Sequence, residues 1–254
     1  MTLNLDLLDN VNGEENSIIF YTEDNEIENL TEDEFQLLEN FDLYINGSNN
    51  KIRIKIKERK DIVNFLRKEG LYLAITGCNN FVDLGLIRYC TNPLLNNTGL
   101  QLYVGGMAEV FEDENSKNSN GCSVVIGDNT VFCGTRIYLQ DDNSSVKIGK
   151  DCVFSSGIDV WCTDVCTIMD LGGNPINRGQ NIEIQDHILV GKDSKIGKNT
   201  KISKDSVIGW GSVVKGVFEQ SNVIIAGNPA KVVKSDINWD LRDLNSYEKQ
   251  TICV

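Results

Sequence analysis

A parallel β-helix of triangular cross-section is the fold this sequence predicts, and three features of the chain predict it. Ile184, Val190, Ile196, Ile202, Ile208 and Val214 stand in unbroken six-residue register. Gly191, Gly197 and Gly209 follow three of these aliphatic residues directly, and Ser203 takes the same slot once. Glycine is abundant at 22 and proline scarce at 3, which suits many tight turns between short strands. A period of six matches neither the helical repeat of about 3.6 nor the strand repeat of about 2. Each repeat therefore reads as one short strand and a turn. The aliphatic residue points inward, and the small residue beside it lets the backbone bend.

Taken in order, residues 1–42 read as an acidic cap. Ser17–Tyr21 is strand-like, and Thr31-Glu32-Asp33-Glu34 offers a capping box before Phe35, Leu37 and Leu38, which predicts one short helix. Residues 1–50 hold thirteen acids and no Lys or Arg; the other 24 acids balance the 24 basic residues, so the net charge of −13 belongs to this stretch. The balance argues against nucleic acid as a partner. The stretch reads as a solvated cap, with a docking surface as the alternative.

Residues 43–234 form the solenoid. Tyr44-Ile45-Asn46-Gly47-Ser48-Asn49-Asn50 followed by a strand returns as Ala74-Ile75-Thr76-Gly77-Cys78-Asn79-Asn80, which predicts two early coils with left-handed turns. Ile52, Ile54 and Ile56 alternate with basic residues over Lys51–Lys60, as a half-buried strand with a solvated outer face does. Gln101–Gly106 reads as a strand and residues 112–121 as a loop. Regular coils resume at Ile126, Phe132 and Tyr138, then Ile148, Phe154 and Val160, with a bulge at Asp141–Ser145 between them. From Met169 to Asn181 the period stops, and Gly172, Gly173, Pro175 and Gly179 mark an excursion from the prism. Residues 235–254 form a tail in which Trp239, Leu241, Leu244 and Tyr247 suggest a docked helix or strap.

No run approaches the roughly 20 apolar residues of a membrane span, and the acidic start is unlike a signal peptide, so a cytoplasmic location is expected. The eight cysteines show no Cys-x-x-Cys pair, and His187 is the one histidine, so no metal site is expected. Reduced, structural thiols are the reading, with Cys133 and Cys152 placed as small buried residues.

The segments Ile208–Val214 and Ile224-Ile225-Ala226-Gly227-Asn228-Pro229-Ala230-Lys231-Val232-Val233-Lys234 resemble the C-terminal end of the hexapeptide-repeat acyltransferases, and the likeness runs from Ile126 to Lys234. It implies a left-handed parallel β-helix, a homotrimer, and acyl-CoA held in a groove between neighbouring subunits. Thr163–Asp170, Asn174–Asn177 and Ile184–Gly191 are similar to the pattern of the sugar and capsule O-acetyltransferases: Ser-Asp-x-His-Ser-Ile, a loop with Ile-Asn, and Gly-Asp-His-Val-Trp-Ile-Gly. That resemblance implies acetyl-CoA as co-substrate and a sugar or surface-glycan hydroxyl as acceptor. In the pattern the first histidine is the general base that takes the hydroxyl proton.

Here Cys166 stands in that histidine's place, Leu189 in the place of the tryptophan, and Gln185 in that of the glycine. Three roles are open to Cys166: a buried structural thiol, a nucleophile that takes the acetyl group and passes it on, or a bystander at a site with another base. His187 is the one imidazole available, with Asp164 or Asp186 to orient it. By the resemblance, Gly191, Gly209, Trp210 and Ser212 flank the pantetheine arm, while Pro229, Ala230 and Lys231 lie by the adenine and phosphates. Turn geometry alone also accounts for the glycines. Lys192, Lys195, Lys198, Lys201 and Lys204 recur every three residues and read as a solvated belt around the coil, one or two of them within reach of a CoA phosphate. The rival reading is a member without catalysis, which binds CoA or a glycan or serves as a scaffold.

Overall fold

The computed structural model describes residues 3–5, 8–27, 29–92, 97–106, 119–178, 181–244 and 246–247. Most of the loop expected at 112–121, and Cys253, lie outside the described residues. Three sheets wrap one apolar core. The first face stacks Ser17–Tyr21, Lys51–Lys55, Phe81–Leu84, Ser123–Ile126, Ser145–Ile148, Asn181–Ile184, Lys201–Ile202 and Val217–Phe218. The second stacks Val11–Asn12, Leu43–Asn46, Leu71–Thr76, Leu100–Val104, Thr135–Leu139, Ile158–Trp161, Lys195–Gly197 and Val213–Val214. The third runs from Arg88–Tyr89 through Val131–Phe132, Val153–Phe154, Leu189–Val190 and Val207–Ile208 to Ile224–Gly227. All these neighbours pair in parallel, and the antiparallel strand Ala230–Lys234 closes the third face.

The chain visits first, third and second faces in turn, so the six-residue register places Ile184, Val190 and Ile196 on three different faces before Ile202 returns to the first. These residues and Ile208 and Val214 are each at most 1% exposed. Phe132 and Phe154 stack at 4.9 Å inside the prism. In the first two coils the helices Glu32–Glu39 and Asp61–Leu66 take the place of third-face strands and contact each other. The first helix begins at the expected box: Thr31 accepts from the Glu34 amide, and the Glu34 carboxylate accepts from the Thr31 amide at 2.7 Å.

The internal repeat folds as two successive coils, Tyr44 pairing with Ala74 and Ile52 with Val82. A further coil precedes them inside the acidic segment, since Val11 pairs with Ile45 and Ser17 with Lys51. Its turn, Gly13-Glu14-Glu15-Asn16, overlies Gly47-Ser48-Asn49-Asn50. Buried Asn16 and Asn50 form a ladder in which Asn50 Nδ2 donates to Asn16 Oδ1 at 3.0 Å and to Gly77 O at 2.9 Å. Two glutamates in place of Ser-Asn hide this copy in the sequence. Acids and bases then meet across coils: Arg53 with Glu26, Lys55 with Glu23, and Arg59 with Glu34. The tail is held by Asn222, which exchanges two hydrogen bonds of 3.0 Å with Ile237, and by Trp239, which stacks on His187 at 4.3 Å and donates to its carbonyl at 2.9 Å; Leu241 and Leu244 are exposed.

Candidate active site

The excursion leaves the second-face strand Ile158–Trp161 and returns to the first-face strand Asn181–Ile184. Asn177 ties it together. Its side-chain amide donates to Cys166 O at 2.8 Å and to Asp164 Oδ2 at 3.0 Å, and its oxygen accepts from the Ile168 amide at 2.9 Å. Lys198, from the next coil, reaches up with its side chain only 5% exposed and donates to the Asp164 carboxylate and to Asn177 O. Burial alone would raise the Asp164 carboxyl. The hydrogen bonds from Lys198 and Asn177 outweigh that penalty and hold it below its ordinary value.

These groups line a cleft of about 470 Å³ on the corner between the second and first faces, together with Ser119, Asp141, Asp142, Cys166 and Arg178. Cys166 is exposed there, so the buried structural role is corrected: the thiol stands on the rim of a loop that Asn177 holds away from the core. The other thiols differ among themselves. Cys122, Cys152 and Cys162 are buried, and burial pushes Cys152 and Cys162 each up to about 12. Cys133, expected inside, is half-buried with its Sγ 3.4 Å from the exposed Cys90.

Within one chain the structure does not bring His187 to this cleft. His187 occupies a left-handed turn (φ 57°) between the first and third faces, where its Nδ1 lies 3.0 Å from Asp205 Oδ1. Neither Asp164 nor Asp186 orients it. Asp164 holds Lys198, and Asp186 Oδ1 accepts from the Lys150 amide at 2.9 Å. The lysine belt is corrected at one member. Lys192, Lys195 and Lys204 are exposed, but Lys198 is the buried cation of the cleft.

The residues assigned to CoA gather on the remaining corner, between third and second faces. A Cβ on Gly191 would stand 2.5 Å from Trp210 Cδ1, and one on Gly209 would stand 2.9 Å from Ala226 Cβ, so both glycines are sterically required. The Trp210 indole lies over Gly191 and is otherwise 81% exposed. Ser212 is buried; its hydroxyl donates to Gly209 O at 2.6 Å and accepts from the Gly227 amide at 3.2 Å, so it braces the seam from below. Ala230 is nearly buried, while Pro229 and Lys231 are exposed.

Prism, glycine seam and corner cleft together are the anatomy of a left-handed β-helix acyltransferase. Among solved structures, the polySia-specific acetyltransferase NeuO superposes with a TM-score of 0.64 at 22% identity, over 95% of this chain and 97% of that one. The polysialic acid O-acetyltransferase of Neisseria meningitidis is 30% identical over 187 residues, covering 71% of this chain and 85% of the relative. The Escherichia coli O1:K1 / APEC protein of the same name is 35% identical over 137 residues, 52% of this chain and 44% of the relative. No family model matches the chain. The chain belongs to the family of these O-acetyltransferases, sugar-modifying enzymes built on hexapeptide repeats.

Proposed function

We propose that this chain moves acetyl from acetyl-CoA to a hydroxyl of an acidic surface polysaccharide, and that the reaction takes place around Cys166. The similarity to the Neisseria meningitidis enzyme supports the acceptor class. The observation that carries the site is the Asn177 clamp, which holds the backbone at Cys166 and Ile168 and the side chain of Asp164 while leaving the thiol exposed in the cleft.

A hydroxyl attacks a thioester poorly while it keeps its proton, so the site needs a group to receive it. Asp164 is committed to Lys198, and His187 of the same chain is on another corner. In our reading Cys166 relays the acetyl group. Its sulfur attacks the thioester carbonyl and CoA departs with the thiol proton. The glycan hydroxyl then attacks the acetyl-cysteine, and its proton passes to the departing Cys166 sulfur.

The donor in this reading lies along the seam of Gly191, Gly209 and Trp210, with its adenine and phosphates by Pro229, Ala230 and Lys231. Seam and cleft occupy different corners of one prism, so a complete site takes the seam from a neighbouring chain of a homotrimer.

The test is intact-protein mass spectrometry after acetyl-CoA is added without acceptor. An acetyl adduct on the peptide containing Cys166 is expected, and Cys166→Ala should abolish transfer to a sialic acid oligomer. Full transfer by Cys166→Ala overturns the relay. Higher transfer by Cys166→His would instead show that the position works through a base, typically for about 10²–10⁴-fold.

A further inference from the structure

We propose that the slot between Trp161 and Lys215, above Gly197, binds a ring of an acidic sugar in the acceptor chain. This rests on the glycan-transferase reading above and adds the residues that select the acceptor. On the outer side of the second face, Tyr103, Tyr138 and Trp161 stand in one column in strict register. Tyr103 and Tyr138 stack at 4.6 Å and 10°, and Tyr138 meets Trp161 at 4.4 Å. The next rung of the column is Gly197, and the one below it carries Lys215, directly after the pair Ile196–Val214. One side of the indole is therefore covered by Tyr138, and the other looks onto a rung without a side chain. Rungs are about 4.8 Å apart, so an empty one leaves about 10 Å between Trp161 and Lys215. That gap admits one saturated ring stacked on the indole, its carboxylate turned to the ammonium.

The fold does not demand this glycine. Gly191 and Gly209 hold the same place in their repeats, and both would clash as alanine. Gly197 is in an extended strand with φ outside the left-handed region, and a Cβ there would meet only Val214 O at 3.8 Å and Lys215 Cβ at 4.0 Å. The sequence leaves open a space that the prism could fill. Charge agrees with an anionic occupant. Lys215 is exposed and makes no ion pair among the described residues. On the adjoining column Arg136 and Lys195 share the single carboxylate of Asp159, which makes this face locally positive on a chain of net charge −13. The slot also adjoins the cleft: Thr163 and Asp164 follow Trp161 in one coil, and Lys198, which holds Asp164, follows Gly197 in the next.

Calorimetry with a sialic acid tetramer tests the slot on the full chain, beside Gly197→Leu and Lys215→Gln. Gly197→Leu fills the rung; its melting temperature should match that of the unmodified chain, and its tetramer binding should weaken at least about tenfold. Lys215→Gln should weaken binding about tenfold and flatten its dependence on salt. Tetramer binding that Gly197→Leu loses, in a protein with no measurable transfer, sustains the slot and removes the transferase reading. Transfer with unaltered KM in both variants removes the slot and leaves the transferase intact. Binding that is equal in all three proteins, or absent from all three, overturns the slot.

Discussion

Lys198 shows how a single residue changes meaning between sequence and structure. Its three-residue spacing with Lys192, Lys195, Lys201 and Lys204 describes a belt around the coil, and four members of that belt are surface or half-exposed. The fifth falls under the excursion and is buried, a position that depends on where a loop without periodicity folds back. Such loops leave no register in a sequence. Asp164 is about a third exposed, so its pair with Lys198 is worth less than a fully buried one, but removing the acid leaves a buried ammonium with only the Asn177 carbonyl and no counter-charge. Asp164→Ala should cost about 2 kcal/mol in denaturant unfolding, and Lys198→Met less, because it removes the charge together with its need for a partner. The pH dependence has a definite sign. The Asp164 carboxyl is depressed in the folded chain, so its contribution is complete above the ordinary carboxylate range near about 4 and is lost as pH falls through the depressed value. The stability gap between the unmodified chain and Asp164→Asn should be flat from pH 6 to 8, on the order of the pair's worth, and close in acid. A gap that widens in acid would show that Lys198 does not hold this carboxylate.

Elements with a period were legible, and elements without one were not. The six-residue register named the inward residues of the regular coils except at Tyr138, which stands on the outer side while Ile137 and Leu139 fill the core, and the capping box named the first helix, because both are local patterns that burial and hydrogen bonding impose directly. The Asp141–Ser145 bulge and the excursion were visible as interruptions. That both lie on one corner and line one cleft follows only from the stacking of coils, which places residues far apart in sequence side by side. His187 and Cys166 are the converse case: close in sequence, they stand on different corners. The excursion should behave as a separable element, since its ties are the three Asn177 side-chain bonds and Lys198 and not the core. Asn177→Ala forfeits three hydrogen bonds of about 1 kcal/mol each, and the loss should fall on the loop. Limited proteolysis within residues 163–178 should accelerate several-fold, and transfer should drop, while the melting temperature of the prism barely moves. A drop in melting temperature with unchanged proteolysis would mean that Asn177 braces the prism itself.

At the scale of the whole molecule, the prism is saturated inside and unfinished outside. Ile168, Met169, Leu171 and Ile176 on the excursion, and Trp210 on the seam, are large apolar side chains that project into solvent, as Val217, Val233, Leu241 and Leu244 do nearer the C-terminal end. Exposed apolar side chains gathered on one projecting element mark an interface more often than a solvated surface. The excursion and the seam are different surfaces on different corners, so a contact between them is heterologous, and such contacts close into a ring when the rotation allows it. A threefold ring would also join each cleft to the next chain's seam, the geometry that the proposed site calls for. The protein should therefore sediment near three times its 28.3 kDa chain mass. Leu171→Glu combined with Ile176→Glu should yield monomers that keep the β-rich circular dichroism of the prism, because neither side chain enters the core. The same monomers should lose transfer altogether while still accepting acetyl on Cys166 only at the background rate of free acetyl-CoA. An unmodified chain that is monomeric at micromolar concentration and fully active would remove the inter-chain site. A double variant that remains trimeric and active would move the interface away from the excursion.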